Sequence, residues 1–302
     1  MQDRDETLFG HKPFLVWADA LTRRGIAVLR VDDRQIGGST GEVVTATTAD
    51  FAGDTAAGIA FLRSRKDIDP HRIGLMGHSE GAIIAPMVAA RDPGIAFIVL
   101  LAGSGEPGEQ LLLQQKRLIE HAAGIPDALV DRSVATMRTL YDALKTAQDQ
   151  KQADAILQNT WQALASADGH RVDIVPPDAI KVVASPWFRW FVAHDPRMDL
   201  GKVRCPVLAL GGSKDLQVEP ETNLAGIRNA LRDDRDATVL ELPDLNHLFQ
   251  TADTGRPTEY GTIGETIAPI ALRTVEDWIV AHAATPARAA AGAGPVAPMP
   301  AR

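Results

Sequence analysis

The sequence predicts an α/β protein, a mostly parallel sheet between two helical layers with a block of helices inserted into it. Three observations carry this. Short apolar runs rich in β-branched residues recur along the chain, bounded by turn residues. Helical patterns lie between them, and strand alternating with helix is the signature of parallel strands joined by helical crossovers. The runs are also nearly continuous in apolar residues rather than alternating, which fits strands covered on both faces.

In chain order, the stretch from Phe14 to Arg24 reads as a helix closed by Gly25, and Ile26 to Val31 reads as a strand. After Asp50, one helical face gathers Phe51, Thr55, Gly58, Ile59 and Leu62. Strands are expected at Arg72 to Met76 and Ala96 to Leu101, with a helix starting near Ala82 between them. Helix formers then take over without a convincing strand: Glu109 to Ala122, Pro126 to Ala147, Gln150 to Ala165 and Pro186 to Ala193. The last of these has Ser185 placed to cap it and Pro186 at its first position. Strands resume at Pro206 to Leu210 and Thr238 to Leu242. The expected division is a core of residues 1–104 and 201–284, a helical cap of residues 105–200, and a tail of residues 285–302. That tail is rich in Ala, Pro and Gly, too poor in apolar bulk to pack, and expected to be flexible.

Composition narrows the function. The chain has 302 residues, 31 Lys and Arg against 39 Asp and Glu, and a formal charge of -8, so it lacks the basic footprint of a nucleic-acid binder. Its single cysteine, Cys205, can form no internal disulfide and no thiolate cluster, and beside Pro206 it reads as a small buried apolar residue. No stretch approaches about 18 uninterrupted apolar residues, so no membrane partner is expected. Asp3, Arg4, Asp5 and Glu6 stand where a signal peptide needs an apolar run, and the chain as given reads as soluble and untargeted.

The most specific motif is Gly77-His78-Ser79-Glu80-Gly81, directly after one expected strand and before a helix. A tight strand-to-helix turn lifts a serine hydroxyl clear of the sheet, and only glycines leave room for the crowded backbone around it. The helix N-terminus behind it favours negative charge on a bound acyl group. A chain of this composition meets G-x-S-x-G roughly 0.05 times by chance, so an incidental serine is the poorer explanation.

A serine hydroxyl is a weak nucleophile until a base takes its proton, and that base needs a carboxylate to orient it. Where a serine sits on such an elbow, the chain order is Ser, then Asp or Glu, then His. Asp215 follows the strand at Pro206 to Leu210, and His247 follows the strand at Thr238 to Leu242, so both belong to loops at the same edge. Among the other histidines, His78 lies inside the elbow and points away from the acyl site by position. His11, His71, His170 and His282 are peripheral, and His121 and His194 belong to the cap. Asp244 and Asp253 lie too close to His247 in sequence to come from the preceding strand's loop. No H-E-x-x-H or paired-cysteine spacing is present, so no metal is expected. Trp187, Trp190 and Phe191 in the last cap helix are candidate pocket residues, with cap-to-core packing as the competing explanation.

Taken together, these residues make the chain resemble bacterial serine α/β-hydrolases of the serine aminopeptidase S33 and dienelactone-hydrolase-like kind, particularly their carboxylesterases. The likeness runs through Gln2-Asp3-Arg4-Asp5-Glu6, Arg30-Val31-Asp32-Asp33-Arg34, the elbow, Gly211 to Asp215 and Asn246-His247. It implies a three-layer α/β-hydrolase core and cleavage of small-molecule carboxylic esters through an acyl-enzyme on Ser79, with Asp215 and His247 completing the triad and no cofactor.

The departures carry expectations too. In that family a hairpin and a third strand precede the segment that Gln2 to Asp5 resembles, and the loop after that strand supplies one of two oxyanion amides. The resemblance therefore implies a chain shortened at its N-terminus, with a gap between the strands beginning at Ile26 and Arg72. It leaves the amide of Glu80 as one oxyanion donor and that of Gln2 as a candidate for the other. Gln35 stands where relatives carry Gly, at an expected cost of about 1 kcal/mol if the turn needs a positive φ. Asp32, Asp33 and Arg34 read as a structural ion-pair and turn. Two alternatives to an esterase stay open: a peptidase acting on a free N-terminus or after proline, with Glu106, Glu109 or Glu120 anchoring the amine, and a shortened remnant that binds without catalysing.

Overall fold

Four parallel strands lie side by side in chain order: β1 (Leu75–His78), β2 (Ile98–Leu101), β3 (Val207–Gly212) and β4 (Ala237–Leu242). The computed structural model describes residues 2–167, 182–233 and 236–283. The tail expected at residues 285–302 and His170 lie outside these.

The central strands show why helices must cover both faces. Ile98 and Leu100 of β2, with Val207 and Ala209 of β3, pack in one apolar cluster with α2 (Thr48–Ser64), α3 (Gly81–Ala89) and α9 (Pro220–Ala230). Val99, Leu101, Leu208 and Leu210 point the other way, against Trp17 and Leu21 of α1 (Pro13–Arg23) and Val275 and Ile279 of α10 (Pro269–Ala283). The period-2 alternation of side chains on each strand thus feeds two cores at once, which is the three-layer arrangement.

Helix ends follow local chemistry. Pro13 begins α1, and Gly25, at φ +77°, follows its end in the left-handed region. α2 begins before the expected Asp50, because Asp50 is the third residue of a capping box and accepts from the Thr47 backbone N–H at 2.8 Å.

One expected strand is corrected. Ile26–Val31 forms no ladder, and Val28, Leu29 and Val31 are 36%, 38% and 60% exposed. An apolar run becomes a strand only where a neighbour takes its backbone groups. No described ladder joins this segment to β1.

Between β2 and β3 the chain runs through α4 (Gly108–Ala122), α5 (Asp127–Leu144), α6 (Gln150–Ala167), α7 (Pro186–Ala193) and α8 (Arg197–Leu200). α4 and α7 meet so closely that a Cβ at Gly108 would stand 1.8 Å from the Phe191 carbonyl oxygen. Leu113, Val130, Val134, Tyr141, Phe188 and Val192 form a separate cluster between α4, α5 and α7. Ser185 caps α7 as expected, accepting from the Phe188 N–H at 3.2 Å. No described helix is long and apolar enough to cross a membrane.

Candidate active site

The elbow is built by crowding. A Cβ at Gly77 would meet the Gly81 carbonyl oxygen at 2.0 Å, so the strand can turn into α3 this tightly only with glycine there. Ser79 pays for the turn with a left-handed backbone, φ +54°, a conformation rare for a residue with a side chain. Its N–H donates to the Leu101 carbonyl at 2.9 Å, anchoring the turn to the neighbouring strand. Glu80 caps α3, so its own N–H lies at the helix end, where amides lack helical partners.

Asp215 stands in the loop after β3 and is buried. Its Oδ1 accepts from the Gln217 and Val218 backbone N–H groups at 2.8 and 2.9 Å. Its Oδ2 lies 2.8 Å from Nδ1 of His247, which is also buried. A carboxylate accepts only, so Nδ1 carries the proton and Nε2 is the nitrogen open to a hydroxyl.

The His247 loop is organised by two residues, Asn246 and Gln250, to which the sequence analysis assigns no role. Buried Asn246 accepts at Oδ1 from the backbone N–H groups of Leu248 and Gln250, both at 3.0 Å, and its Nδ2 donates to Gln250 Oε1 at 2.9 Å. Gln250 in turn donates to the carbonyls of Tyr260 and Glu265 at 3.3 and 3.1 Å. Asn246 next to a proposed base was the legible signal, because an Asx side chain commonly ties its own loop.

Asp215 and His247 are therefore brought together. Ser79 Oγ makes no hydrogen bond to His247 among the described residues. The elbow and the His247 loop are joined through His78 instead. Its Nε2 lies 2.8 Å from the His247 carbonyl oxygen, its Nδ1 lies 2.9 Å from Glu6 Oε1, and the two imidazole centroids are 4.8 Å apart.

The remaining expected site residues divide. The Gln2 N–H donates to Asp33 Oδ2 at 2.7 Å, so this candidate oxyanion amide is already engaged, a correction to its expected role. Trp187 donates from Nε1 to Glu80 Oε1 at 2.7 Å, and Thr48 donates to the same oxygen at 2.6 Å, so one carboxylate links the elbow, α2 and α7. Burial pushes the Glu80 carboxyl above its ordinary value, against the two hydrogen bonds. Phe191 is buried in the core cluster, and Trp190 stacks on His194 with centroids 4.2 Å apart. Asp32 accepts a forked contact from Arg4 at 2.6 and 3.1 Å, and Arg34 donates one to Asp54, consistent with structural ion pairs. No group of three or more His, Cys, Asp or Glu placed to hold a metal occurs among the described residues.

A parallel sheet covered on both faces, with a serine on a strained strand-to-helix elbow, defines an α/β-hydrolase fold. The model of the X-Pro dipeptidyl-peptidase (S15) family matches residues 2–242, and the chain belongs to that family. Esterase EstD of Thermotoga maritima is 23% identical over 261 residues, covering 85% of this chain and 54% of that protein, so the chain spans about half the length of this curated relative. Among solved structures, Est1E from Butyrivibrio proteoclasticus with bound ferulic acid superposes with a TM-score of 0.51 at 13% identity, covering 94% of this chain and 88% of that one. The Paleococcus ferrophilus monoacylglycerol lipase superposes at 0.50 with 17% identity, covering 88% of each chain. These likenesses place the fold.

Proposed function

We propose that this protein is a serine hydrolase that cleaves small carboxylic esters, a carboxylesterase of the dienelactone-hydrolase-like kind within its fold. The observation that carries the reading is the buried Asp215–His247 pair, bonded through His78 to the elbow that bears Ser79. The esterase name of the curated relative supports it.

In the proposed reaction His247 Nε2 takes the hydroxyl proton as Ser79 Oγ attacks the ester carbonyl. Asp215 holds the imidazole in the right tautomer and balances the imidazolium that forms. The carbonyl oxygen, now negative, faces the Glu80 N–H and the N-terminal end of α3. The tetrahedral intermediate collapses, and His247 gives its proton to the departing alcohol oxygen. Water then repeats the sequence on the acyl-enzyme, releasing the acid and restoring Ser79. With Gln2 engaged, Glu80 is the one oxyanion donor proposed among the described residues. Helices α4 to α8 form the proposed cap, with Trp187 and Trp190 flanking the acyl group.

The family name favours a second reading, a peptidase acting after proline. It needs a free carboxylate for the substrate's amine, and the three cap candidates are already matched by cations. Glu109 meets Lys145 at 2.5 Å, Glu120 meets Lys116 at 2.7 Å, and Glu106 lies 3.9 Å from Arg197. This favours the ester. Turnover of a short p-nitrophenyl ester compared with an aminoacyl-prolyl anilide decides between them. If wild type is no faster on the ester than the Ser79→Ala variant, the proposal fails.

A further inference from the structure

The strand order sets a problem that the triad alone does not solve. Ser79 follows β1 at one edge of the described sheet, while His247 follows β4 at the other. The loop after β4 must cross β3 and β2 to reach the elbow, and its arriving end needs a fastening. We propose that His78 is that fastening: a positioning residue that donates from both ring nitrogens, one to the His247 carbonyl and one to Glu6 as its counter-ion. The inference rests on the ester-hydrolase reading above and deepens it.

The chemistry of the two partners fixes the charge. A carboxylate oxygen and a backbone carbonyl both accept only, so bonds at 2.9 Å to Glu6 Oε1 and 2.8 Å to the His247 oxygen can both form only if each nitrogen carries hydrogen. A neutral imidazole satisfies one bond and leaves the other as a clash of lone pairs. The ring is buried, and a buried cation persists only when paired, which is what Glu6 provides.

Glu6 is itself placed at a cost. Its backbone is left-handed, φ +53°, in a tight turn organised by Asp3. Asp3 Oδ1 accepts from the Asp5 and Thr7 N–H groups at 3.0 and 2.9 Å, Oδ2 accepts from the Thr7 hydroxyl at 2.6 Å, and the Glu6 N–H donates to the Asp3 carbonyl at 2.9 Å. A strained turn with this much local bonding aims one carboxylate at one histidine.

The ionisable groups facing His78 are Glu6 from that turn, Asp215 from the loop after β3, and the His247 imidazole. Pro13, Trp17, Leu248, Phe249 and Ile267, none of them charged, line with Glu6 and His78 the small cavity beside the ring. Burial opposes the charge on His78, but the Glu6 carboxylate, the two hydrogen bonds and the Asp215 charge outweigh it, and its titration lies above the ordinary histidine value.

The test uses the full chain. Ester hydrolysis by wild type, Glu6→Gln and His78→Asn is followed against pH, alongside 15N NMR of the ring nitrogens and far-UV circular dichroism. Two bonded hydrogens on His78 are expected at neutral pH. An alkaline fall in kcat should track loss of one of them and move to lower pH by at least about one unit in Glu6→Gln. For a folded His78→Asn protein, kcat should fall about 10²-fold with KM little changed, the size of effect a misplacement of about 1 Å produces. A His78 ring with one hydrogen across the neutral range, a pH profile unmoved by Glu6→Gln, or wild-type kcat in folded His78→Asn each overturns the inference. Failure of the underlying ester-hydrolase reading is recognisable separately, as wild type no faster than Ser79→Ala. In that event the ring NMR of wild type and Glu6→Gln still decides whether His78 is the charged fastening.

Discussion

Oδ2 of Asp215 lies 2.8 Å from Nδ1 of His247, while its Oδ1 is held by two backbone N–H groups, so the carboxylate is oriented from one side and orients from the other. Asp215→Asn separates these duties. The amide oxygen still accepts from Gln217 and Val218, but the NH₂ group now faces Nδ1 and forces the proton onto Nε2, the nitrogen needed as base. Fold and stability should change little, whereas kcat on a p-nitrophenyl ester should fall about 10⁴-fold, the size this exchange has in a serine-protease triad. A folded variant within tenfold of wild type removes Asp215 from the mechanism.

The elbow carries strain that can be measured apart from chemistry. Ser79 sits at φ +54°, where glycine is at ease and any side chain costs about 1 kcal/mol. Ser79→Gly and Ser79→Ala should both be inactive, but only the glycine variant escapes the backbone cost. Denaturant unfolding should find Ser79→Gly about 0.5 kcal/mol more stable than Ser79→Ala, the strain relieved exceeding the larger freedom that glycine gains on unfolding, whereas a Ser79→Gly protein less stable than Ser79→Ala means that the elbow imposes no strain.

The same logic applies away from the site. Gln35 has φ +64°, which meets the condition under which the sequence attaches a cost of about 1 kcal/mol to this turn. Its N–H donates to the Ser39 carbonyl at 3.2 Å, a bond that glycine keeps. Gln35→Gly should therefore stabilise the protein, with the strain relieved set against the larger freedom that glycine gains on unfolding. The expected net gain is about 0.5 kcal/mol, read as a shift in urea midpoint with unchanged m-value. A destabilised variant means that the turn imposes no strain on Gln35.

What the sequence made legible was whatever local pattern dictates. β2, β3 and β4 appear where apolar runs predict them, because each has a strand beside it and helices over both faces. Ile26–Val31 has the same composition but no ladder, since a strand is a property of a pair and not of a run. Ser79, Asp215 and His247 were legible because each directly follows a strand. Glu6 and His78 were not, because their pairing spans 72 residues and has no fixed spacing. Gln2 failed as an expected donor for a related reason: the sequence cannot show that Asp33 reaches its N–H first.

Glu80 offers a test of stability against pH. Its carboxyl is buried, and the cost of burial, larger than the help from Thr48 and Trp187, raises its folded-state titration above the ordinary 4.5. A carboxyl raised in the folded state holds its proton more tightly there than in the unfolded chain. Its contribution to stability is thus fully present below pH 4.5 and is lost as pH rises through the folded-state value. Glu80→Gln is neutral at every pH, and its amide oxygen can still accept from Thr48 and Trp187. Thermal unfolding at pH 8 should therefore give a higher Tm for Glu80→Gln than for wild type, with the two converging as pH falls below the raised value. If Glu80→Gln is the less stable protein at pH 8, the ionised carboxylate is a net asset at the junction of elbow, α2 and α7, and the balance between burial and its two hydrogen bonds runs the other way.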